Sequence, residues 1–341
     1  MKQLRVREGD FIETPEGLIF DVKGVVHPPD RAIAFLRYYP SLQGTRVREG
    51  TTYAKVYDLA ERFNLLQQQF PHYLFVDPVA GRELQGVPIN RIQQLYQPVE
   101  QLQYLRQKSK RDPLEQVIVG FANRLQREAR IKAGDLGVSG SVQIGLHGPE
   151  SDIDLIVYGR RASQAVQLAL QRIRLAEDSN IKGYLLNNYR PIYELRWLRT
   201  GVPLNTMLTI DGPKAMHGLI GHRHYFVRAV LNWDELEERY GDRTYQQVGP
   251  ARAFCRIVNH RDSLFTPCRY EVDDVEWIEG AQEENLREIV SFRGRFTEQV
   301  RQDDRVVVQG IIELVHAGKE RWSRFVLGEQ PTDILLPRYL L

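Results

Sequence analysis

The segment LGVSGSVQIGLHGPESDIDLIVYG, residues 136–159, constrains the fold more than any other part of the 341-residue chain. Within it, residues 153–158 form an apolar, β-prone run that ends at a glycine, which predicts a buried strand. Side chains alternate across a strand, so Asp152 and Asp154 would lie on the same face. Because two neighbouring carboxylates repel each other, this arrangement indicates a bound cation.

Oxygen ligands of this kind suit Mg²⁺, which proteins commonly hold with one or two carboxylates and the phosphates of a substrate. Upstream, Ser139-Gly140-Ser141 follows a short β-prone run. A glycine lets a phosphate approach the backbone, and Ser141 offers an N–H and a hydroxyl. The segment therefore predicts a phosphate cradle beside a metal site, the two parts on which phosphoryl-type transfer depends most.

In this pattern Gly140-Ser141 is separated by ten residues from Asp152-Ile153-Asp154, with Ser151 just before the acidic pair. It resembles the nucleotidyltransferases of the DNA polymerase beta superfamily. The chain is most similar to a group of predicted archaeal-type nucleotidyltransferases of unknown substrate. His27-Pro28-Pro29-Asp30 and the SFRGRF segment at 291–296 contribute to that broader resemblance.

The resemblance implies a site and a reaction. Gly140 and Ser141 would contact the β- and γ-phosphates of a nucleoside triphosphate, with Ser151 beside them. Asp152 and Asp154 would be the catalytic pair and would hold Mg²⁺. An acceptor hydroxyl would attack the α-phosphorus and pyrophosphate would leave. We expect an RNA end as the acceptor, and a protein or a small molecule is the alternative.

A further carboxylate is the feature that the sequence does not supply. The family usually places it on a later strand, but the strand expected at 224–231 contains Arg228 and no acid. The nearest acids along the chain are Glu194, Asp211 and Asp234. This leaves open a relocated acid, a one-metal or partner-assisted mechanism, or a loss of activity. The alternative function is a catalytically inactive nucleic-acid-binding scaffold that keeps the nucleotidyltransferase fold.

The length predicts more than one domain. We expect a mixed α+β chain in three parts: an N-terminal α+β module (1–105), a polymerase beta-like core with a mixed sheet and helices (106–243), and a C-terminal β-rich domain (244–341). The strand pattern of the last part predicts a small barrel or a sandwich, and an OB-like barrel is one form that fits it. Asp112, Pro113 and Glu115 form the signature of a helix start with a capping box. The glutamine-rich stretch 89–107 predicts a helix, and Ser163 is a candidate helix cap.

Composition limits the setting. The net charge of +2 is too small to establish a nucleic-acid partner. Two cysteines exclude a disulfide scaffold and favour a reducing compartment. No apolar run is long enough to span a membrane, so we expect a cytoplasmic protein. Nothing in the sequence indicates its oligomeric state.

Four weaker signals each have a structural interpretation, which we favour, and a functional one. The clustered histidines, and the cysteines with a nearby histidine, could bind zinc. The arginines of SFRGRF and the basic stretch before the first core helix, continued on that helix, could contact nucleic acid. The residues concerned are His217, His222 and His224; Cys255, His260 and Cys268; Arg293 and Arg295; and Arg106, Lys108, Lys110, Arg111, Arg124, Arg127 and Arg130.

Overall fold

The computed structural model describes residues 5–340 and shows a mixed α+β chain that divides into two compact units. The first unit contains the chain up to Pro78, Arg82–Leu170 and Arg223–Tyr240. The second contains Val79–Gly81, Gln171–His222 and the chain from Gly241 onward. The three-part division at residues 105 and 243 stays a prediction.

The N-terminal region is built around a twisted antiparallel sheet. Its elements are β1 (Phe11–Glu13), β2 (Ile19–Val22), β3 (Arg31–Pro40), β4 (Arg46–Arg48), β5 (Thr51–Lys55), α1 (Leu59–Gln69), β6 (Leu74–Asp77), β7 (Arg82–Pro88), β8 (Gln94–Tyr96) and α2 (Pro98–Gln107). The strands pair in the order β4-β5-β3-β2-β1-β8, and β7 joins β6 to β3. In β3 every second side chain is buried, as expected of a sheet with one face on a core.

The predicted helix at 89–107 was wrong in its first half. Residues 94–96 form β8, which pairs with β1 through Phe11 and Tyr96, and helix α2 begins only at Pro98. Pairing with a distant strand satisfies the backbone of this segment, and such a contact overrides local helix propensity.

The middle of the chain contains the motif with Gly140-Ser141 and Asp152-Ile153-Asp154, and it includes both strands and helices. In chain order these elements are α3 (Pro113–Ala129), β9 (Leu136–Val138), α4 (Gly140–Gln143), β10 (Ile153–Tyr158), α5 (Arg160–Leu175), β11 (Ile181–Lys182), α6 (Leu186–Arg196), α7 (Leu204–Asp211), β12 (His217–Ile220) and β13 (Arg223–Val230). Strand β10 lies between β9, which is antiparallel to it, and β13, which is parallel. In the second unit, β11 pairs with β12.

Helices α3 and α5 each begin where a carboxylate accepts a hydrogen bond from a backbone N–H group of the first turn. The capping box of α3 is confirmed: Asp112 accepts from Glu115 N at 2.9 Å, and Glu115 accepts from Asp112 N at 3.0 Å. The prediction that Ser163 caps a helix was wrong, since α5 already begins at Arg160. There the Glu235 carboxylate accepts the Arg160 N–H at 2.9 Å, so the cap comes from a residue distant in sequence.

The C-terminal strands close on themselves. They are β14 (Thr244–Asn259), β15 (Cys268–Gly280), β16 (Leu286–Ser291), β17 (Arg305–Ala317), β18 (Glu320–Leu327) and β19 (Ile334–Pro337). They pair in the order β14-β15-β16-β18-β17, and β17 also pairs with β14, which completes a ring. Only β16 and β18 are parallel within this ring. The assignment of the ring as an OB-like barrel stays a prediction.

His27 ties the beginning of the described chain to the N-terminal sheet. Ile33 N donates to His27 Nδ1 at 3.2 Å, so the proton is on Nε2, which lies 3.1 Å from the carbonyl oxygen of Val6. The ring is therefore neutral, and burial lowers the pKa of His27 from 6.5 to about 4. This contact fixes the segment that carries Glu8 and Gly9.

Protonation of His27 should destabilise the fold at acid pH. Its folded pKa is below its unfolded value, so its contribution is complete above about pH 6.5 and is lost as the pH falls towards 4. Between pH 7 and pH 4 the wild type should lose about 3 kcal/mol more of its unfolding free energy than His27→Asn, which does not titrate in this range. Urea denaturation of both proteins at the two pH values measures the difference. Equal losses would contradict this role of His27.

Candidate functional site

Strand β10 presents the two aspartates of the motif at the mouth of a cavity in the first unit. Asp152 comes immediately before the strand and is exposed, and Asp154 is its second residue and is partly buried. The backbone of Asp154 is held on one side by β9, where Ser139 N donates to its carbonyl at 2.9 Å. On the other side Asp154 is in register with Phe226 of β13.

Gly140 brings the turn after β9 against the second carboxylate. Its φ of +66° lies in the region that favours glycine. A Cβ added here would lie 3.1 Å from Asp154 Cγ and closer still to Oδ2. The turn thus leaves room beside the carboxylate that any other residue would fill.

The structure brings all the predicted site residues to one cavity of about 130 Å³. Gly140, Ser141, Ser151, Asp152 and Asp154 line it together. Ser151 also closes the preceding turn, because its hydroxyl oxygen accepts from Gly148 N at 2.9 Å. The other lining residues, which the sequence analysis did not identify, are Phe11, Arg37, Tyr38, Arg46, Lys55, Tyr57 and Glu150.

The electrostatics of the aspartate pair favour a bound cation. Burial and the neighbouring charge of Asp152 raise the pKa of Asp154, and Arg228, Arg37 and Lys55 oppose this only in part. A divalent cation between the carboxylates would reverse the repulsion. Two carboxylates and an adjacent turn open to phosphate form a donor set that fits Mg²⁺.

Arg228 stands where the sequence analysis looked for the third carboxylate. It lies on β13 opposite Ile156 and lines a second cavity that adjoins the first at Gly140 and Asp154. It forms an ion pair with Glu8, whose side chain is 0% exposed and also accepts from Gly24 N at 2.6 Å. Burial disfavours the charge of Arg228, but Glu8, Asp21 and Asp154 outweigh it and raise the pKa of the guanidinium.

Two acids from the N-terminal region, Glu8 and Asp21, thus face Arg228. Asp21 lines the second cavity with Asp154. Its pKa is lowered, because the charges of Lys23 and Arg228 outweigh the effect of burial. This arrangement has no signature in the sequence, since about 200 residues separate these acids from Arg228 and no local periodicity links them.

Two of the acids considered as a third carboxylate have local partners in the second unit. Asp211 accepts from the Tyr189 hydroxyl at 2.6 Å and from Trp197 Nε1 at 2.8 Å, and it pairs with Lys214 at 2.8 Å. Glu194 lies 3.7 Å from Arg190 on the surface of α6. These contacts give both acids structural roles.

A second acidic group contains Asp112, Glu115 and His147, whose ligand atoms lie within 4.8 Å of one another. Its members are already engaged. The two acids form the capping box of α3, Lys108 pairs with Glu115 at 2.6 Å, and His147 Nε2 lies 2.7 Å from Asp112. The group is therefore explained by the start of the helix.

The zinc interpretations find little support in the contacts. Cys255 and Cys268 are buried, and burial raises the pKa of each thiol to about 12, which keeps both protonated. His217 is buried, with Nε2 3.1 Å from the carbonyl oxygen of Gly294. Thiolates are the form that binds zinc, so these cysteines act as core residues.

Several of the arginines proposed to contact nucleic acid make contacts within the fold. Arg295 stacks on Trp197 at 4.8 Å and donates to the carbonyl of Arg196. Arg106 donates hydrogen bonds to the side chains of Asn123 and Gln126. Arg111 donates to two backbone carbonyls in the last turn of α2. The exposed cations of this set are Lys110, Arg127, Arg130 and Arg293, of which Arg127 pairs with Glu128 at 3.4 Å.

Comparison with known proteins agrees with this geometry. Residues 118–197 match the family model of the nucleotidyltransferase domain. The chain is 27% identical over 335 residues to the uncharacterized protein MJ1086 of Methanocaldococcus jannaschii, covering 95% of this chain and 96% of that protein. No solved structure matches the chain. The resemblance to an archaeal-type nucleotidyltransferase of unknown substrate is thus confirmed.

No helix in the described part of the chain is long and apolar enough to cross a membrane.

Replacing Gly140 should damage the site directly. In Gly140→Ala the new methyl group would displace the Asp154 carboxylate, and the positive φ would add strain of about 1–2 kcal/mol. Gly134→Ala is the matched control, because nothing lies within 4 Å of an added Cβ there. Isothermal titration with Mg²⁺ and nucleoside triphosphates, together with thermal unfolding, should show weakened binding for Gly140→Ala alone. Equal behaviour of the two variants would refute the close approach.

The ion pair of Arg228 and Glu8 should respond unequally to single and double changes. Arg228→Met leaves the buried Glu8 carboxylate without its main partner and should cost about 3–5 kcal/mol of unfolding free energy. Glu8→Gln/Arg228→Met removes both charges and should recover much of that loss. Chemical denaturation measures both variants. If the double variant is as unstable as the single one, the charge pairing is not the cause.

Proposed function

We propose that the chain transfers a nucleoside monophosphate from a nucleoside triphosphate to an acceptor hydroxyl. The observation that carries this proposal is the approach of the Gly140-Ser141 turn to the Asp154 carboxylate, with Asp152 at the same cavity. A phosphate-accepting turn and a carboxylate pair are the parts that such a transfer needs, because its catalysis is largely positioning and charge neutralisation.

Each residue has a role in this proposal. Ser141 and the open backbone at Gly140 bind the β- and γ-phosphates, and Ser151 shapes the turn that leads to the carboxylates. Asp152 and Asp154 would hold Mg²⁺, which supplies positive charge to the phosphates when bound. The acceptor hydroxyl loses its proton to solvent, its oxygen forms a bond to the α-phosphorus, the bond from that phosphorus to the bridging oxygen breaks, and pyrophosphate leaves.

The second cavity holds Arg228 where a third carboxylate was expected, which favours a site with Asp152 and Asp154 as its acidic pair. Arg228 places a fixed positive charge beside Asp154, on the strand where the family usually has a further acid. A guanidinium can neutralise developing negative charge without being a metal ligand. This supports a transfer in which Arg228 takes part of the role of a second metal.

We favour an RNA end as the acceptor. The support is the exposed cationic surface at the two ends of α3, where Lys110, Arg127 and Arg130 could contact a phosphate backbone. On β15, by contrast, Asp273 and Asp274 pair with Arg256 and Arg305, so the positive charges beside that strand are already neutralised. RNA bound by this chain should therefore contact the first unit.

Loss of the aspartate pair should separate catalysis from a scaffold role. Wild-type protein should bind one of ATP, GTP, CTP and UTP in a Mg²⁺-dependent manner, and Asp152→Ala/Asp154→Ala should weaken that binding at least about tenfold. Asp273→Ala/Asp274→Ala, which removes the same charge from β15, should bind normally. Isothermal titration measures all three proteins, and labelled nucleotide with RNA that has a free 3′ hydroxyl then tests transfer.

The contrary result has a defined meaning. If folded wild-type protein binds no triphosphate, and both double variants bind RNA equally well in a mobility-shift assay, the chain is a nucleic-acid-binding scaffold rather than a transferase.

A further inference from the structure

We propose that the N-terminal sheet binds the triphosphate tail of the nucleotide through Arg37, Arg46 and Lys55. This inference rests on the proposed function and assigns a binding role to a region that the nucleotidyltransferase match at 118–197 does not include. It completes the site with residues that precede Ser141 and Asp152 by about 85 to 115 positions in the sequence.

The three cations reach one cavity from neighbouring strands. Arg37 lies on β3, Arg46 on β4 and Lys55 on β5. The register pairs Lys55 with Tyr38 and Arg46 with Tyr53, so both point to the sheet face that packs on Ile144 and Leu146. All three cations line the cavity that contains Ser141 and Asp152.

Arg46 also lies against the turn that precedes the aspartates. A Cβ added to Gly148 would collide with the guanidinium of Arg46. Within that turn, the backbone N–H of Gly148 donates a hydrogen bond to the hydroxyl of Ser151. The absence of a side chain at Gly148 thus lets Arg46 approach the backbone next to Asp152.

Their lack of ion-pair partners distinguishes these cations from others in the same sheet. Across residues 5–340, no carboxylate lies within 4.0 Å of the charged groups of Arg37, Arg46 or Lys55. By contrast, Arg31 pairs with Asp30 at 2.9 Å and Arg48 pairs with Glu13 at 2.5 Å. Cations that converge on one cavity without partners indicate an anionic ligand.

Aromatic rings hold two of the cations at the cavity. Lys55 Nζ lies 4.6 Å from the ring centre of Tyr57 and 5.8 Å from that of Tyr38. The Arg37 guanidinium lies 5.1 Å from the Tyr57 ring. Such contacts orient a cation and leave its N–H groups available to a phosphate.

The charges of the cavity match a metal-bound polyphosphate. Glu150, Asp152 and Asp154 balance the three cations, so a divalent cation on the aspartates leaves a net positive cavity. A triphosphate is the ligand of opposite sign that spans from the Gly140-Ser141 turn towards β4 and β5. The phosphates of an RNA acceptor have the same chemistry, and the experiment must separate the two sources.

The test compares ligands that differ only in phosphate number. Isothermal titration in Mg²⁺ should measure wild-type protein with the nucleoside triphosphate, diphosphate and monophosphate of the base it prefers, and with inorganic tripolyphosphate. Arg46→Gln/Lys55→Gln should bind triphosphate and tripolyphosphate at least about tenfold more weakly, with the monophosphate nearly unchanged. Arg31→Gln, a change in the same sheet outside the cavity, is the control.

Folding and charge have separate controls. Thermal unfolding of each variant shows whether it is intact. If Arg46→Gln/Lys55→Gln unfolds, Arg46→Lys/Lys55→Arg, which keeps both charges, and the single variants are measured instead. The charge-keeping variant should retain most triphosphate binding, and each single neutral variant should lose part of it.

Three results would overturn the inference while leaving the proposed function intact. One is wild-type affinity for triphosphate in the neutral double variant. Another is an equal loss for triphosphate and monophosphate. The third is normal triphosphate binding with loss of binding to a short single-stranded RNA, which would assign the cations to the acceptor. Failure of wild-type protein to bind any triphosphate would instead refute the proposed function itself.

Discussion

The buried charges around Arg228 are the constraint on which the rest of the site depends. A guanidinium that is largely removed from water is stable only with carboxylates beside it, and here Glu8 and Asp21 come from the N-terminal region. The segment that carries Glu8 is in turn fixed by His27 and by the bond from Ser139 Oγ to the carbonyl of Gly9. The N-terminal sheet and the core strands therefore form one structural unit, because neither satisfies these charges alone.

The two halves of the site differ in how they treat charge. Around Arg228, the guanidinium and the carboxylates of Glu8 and Asp21 neutralise each other within the protein, so the geometry of β10 and β13 is set before any ligand binds. Around Asp152 and Asp154, the carboxylates repel each other, and within residues 5–340 Arg37, Arg46 and Lys55 have no ion-pair partner. Such a cavity is preorganised around Arg228 and electrostatically incomplete around the aspartates, an arrangement that directs binding energy to a charged ligand.

The sequence predicted those features that local physics determines. The aspartate spacing, the glycine turn and the capping box of α3 were all placed correctly, because period-two alternation and cap chemistry act within a few residues. The helix at 89–107 and the cap at Ser163 were wrong where a distant strand or Glu235 supplied the backbone partner. Arg46, Lys55 and Glu8 were missed for the same reason, since only tertiary pairing brings them to β10.

Closure of the C-terminal ring shields strand β17 from pairing with other molecules. Strand β17 contains VVVQGIIELV, a long β-prone run without proline or a positive charge, which is the composition of segments that assemble into intermolecular sheets. In the folded ring β14 covers one edge of β17, and β18 and β19 together cover the other. Pairing of β14 with β17 joins residues as far apart as Thr244 and His316, so it forms late relative to local contacts. Until then the edge of β17 is open, and aggregation should compete with refolding most strongly at high protein concentration.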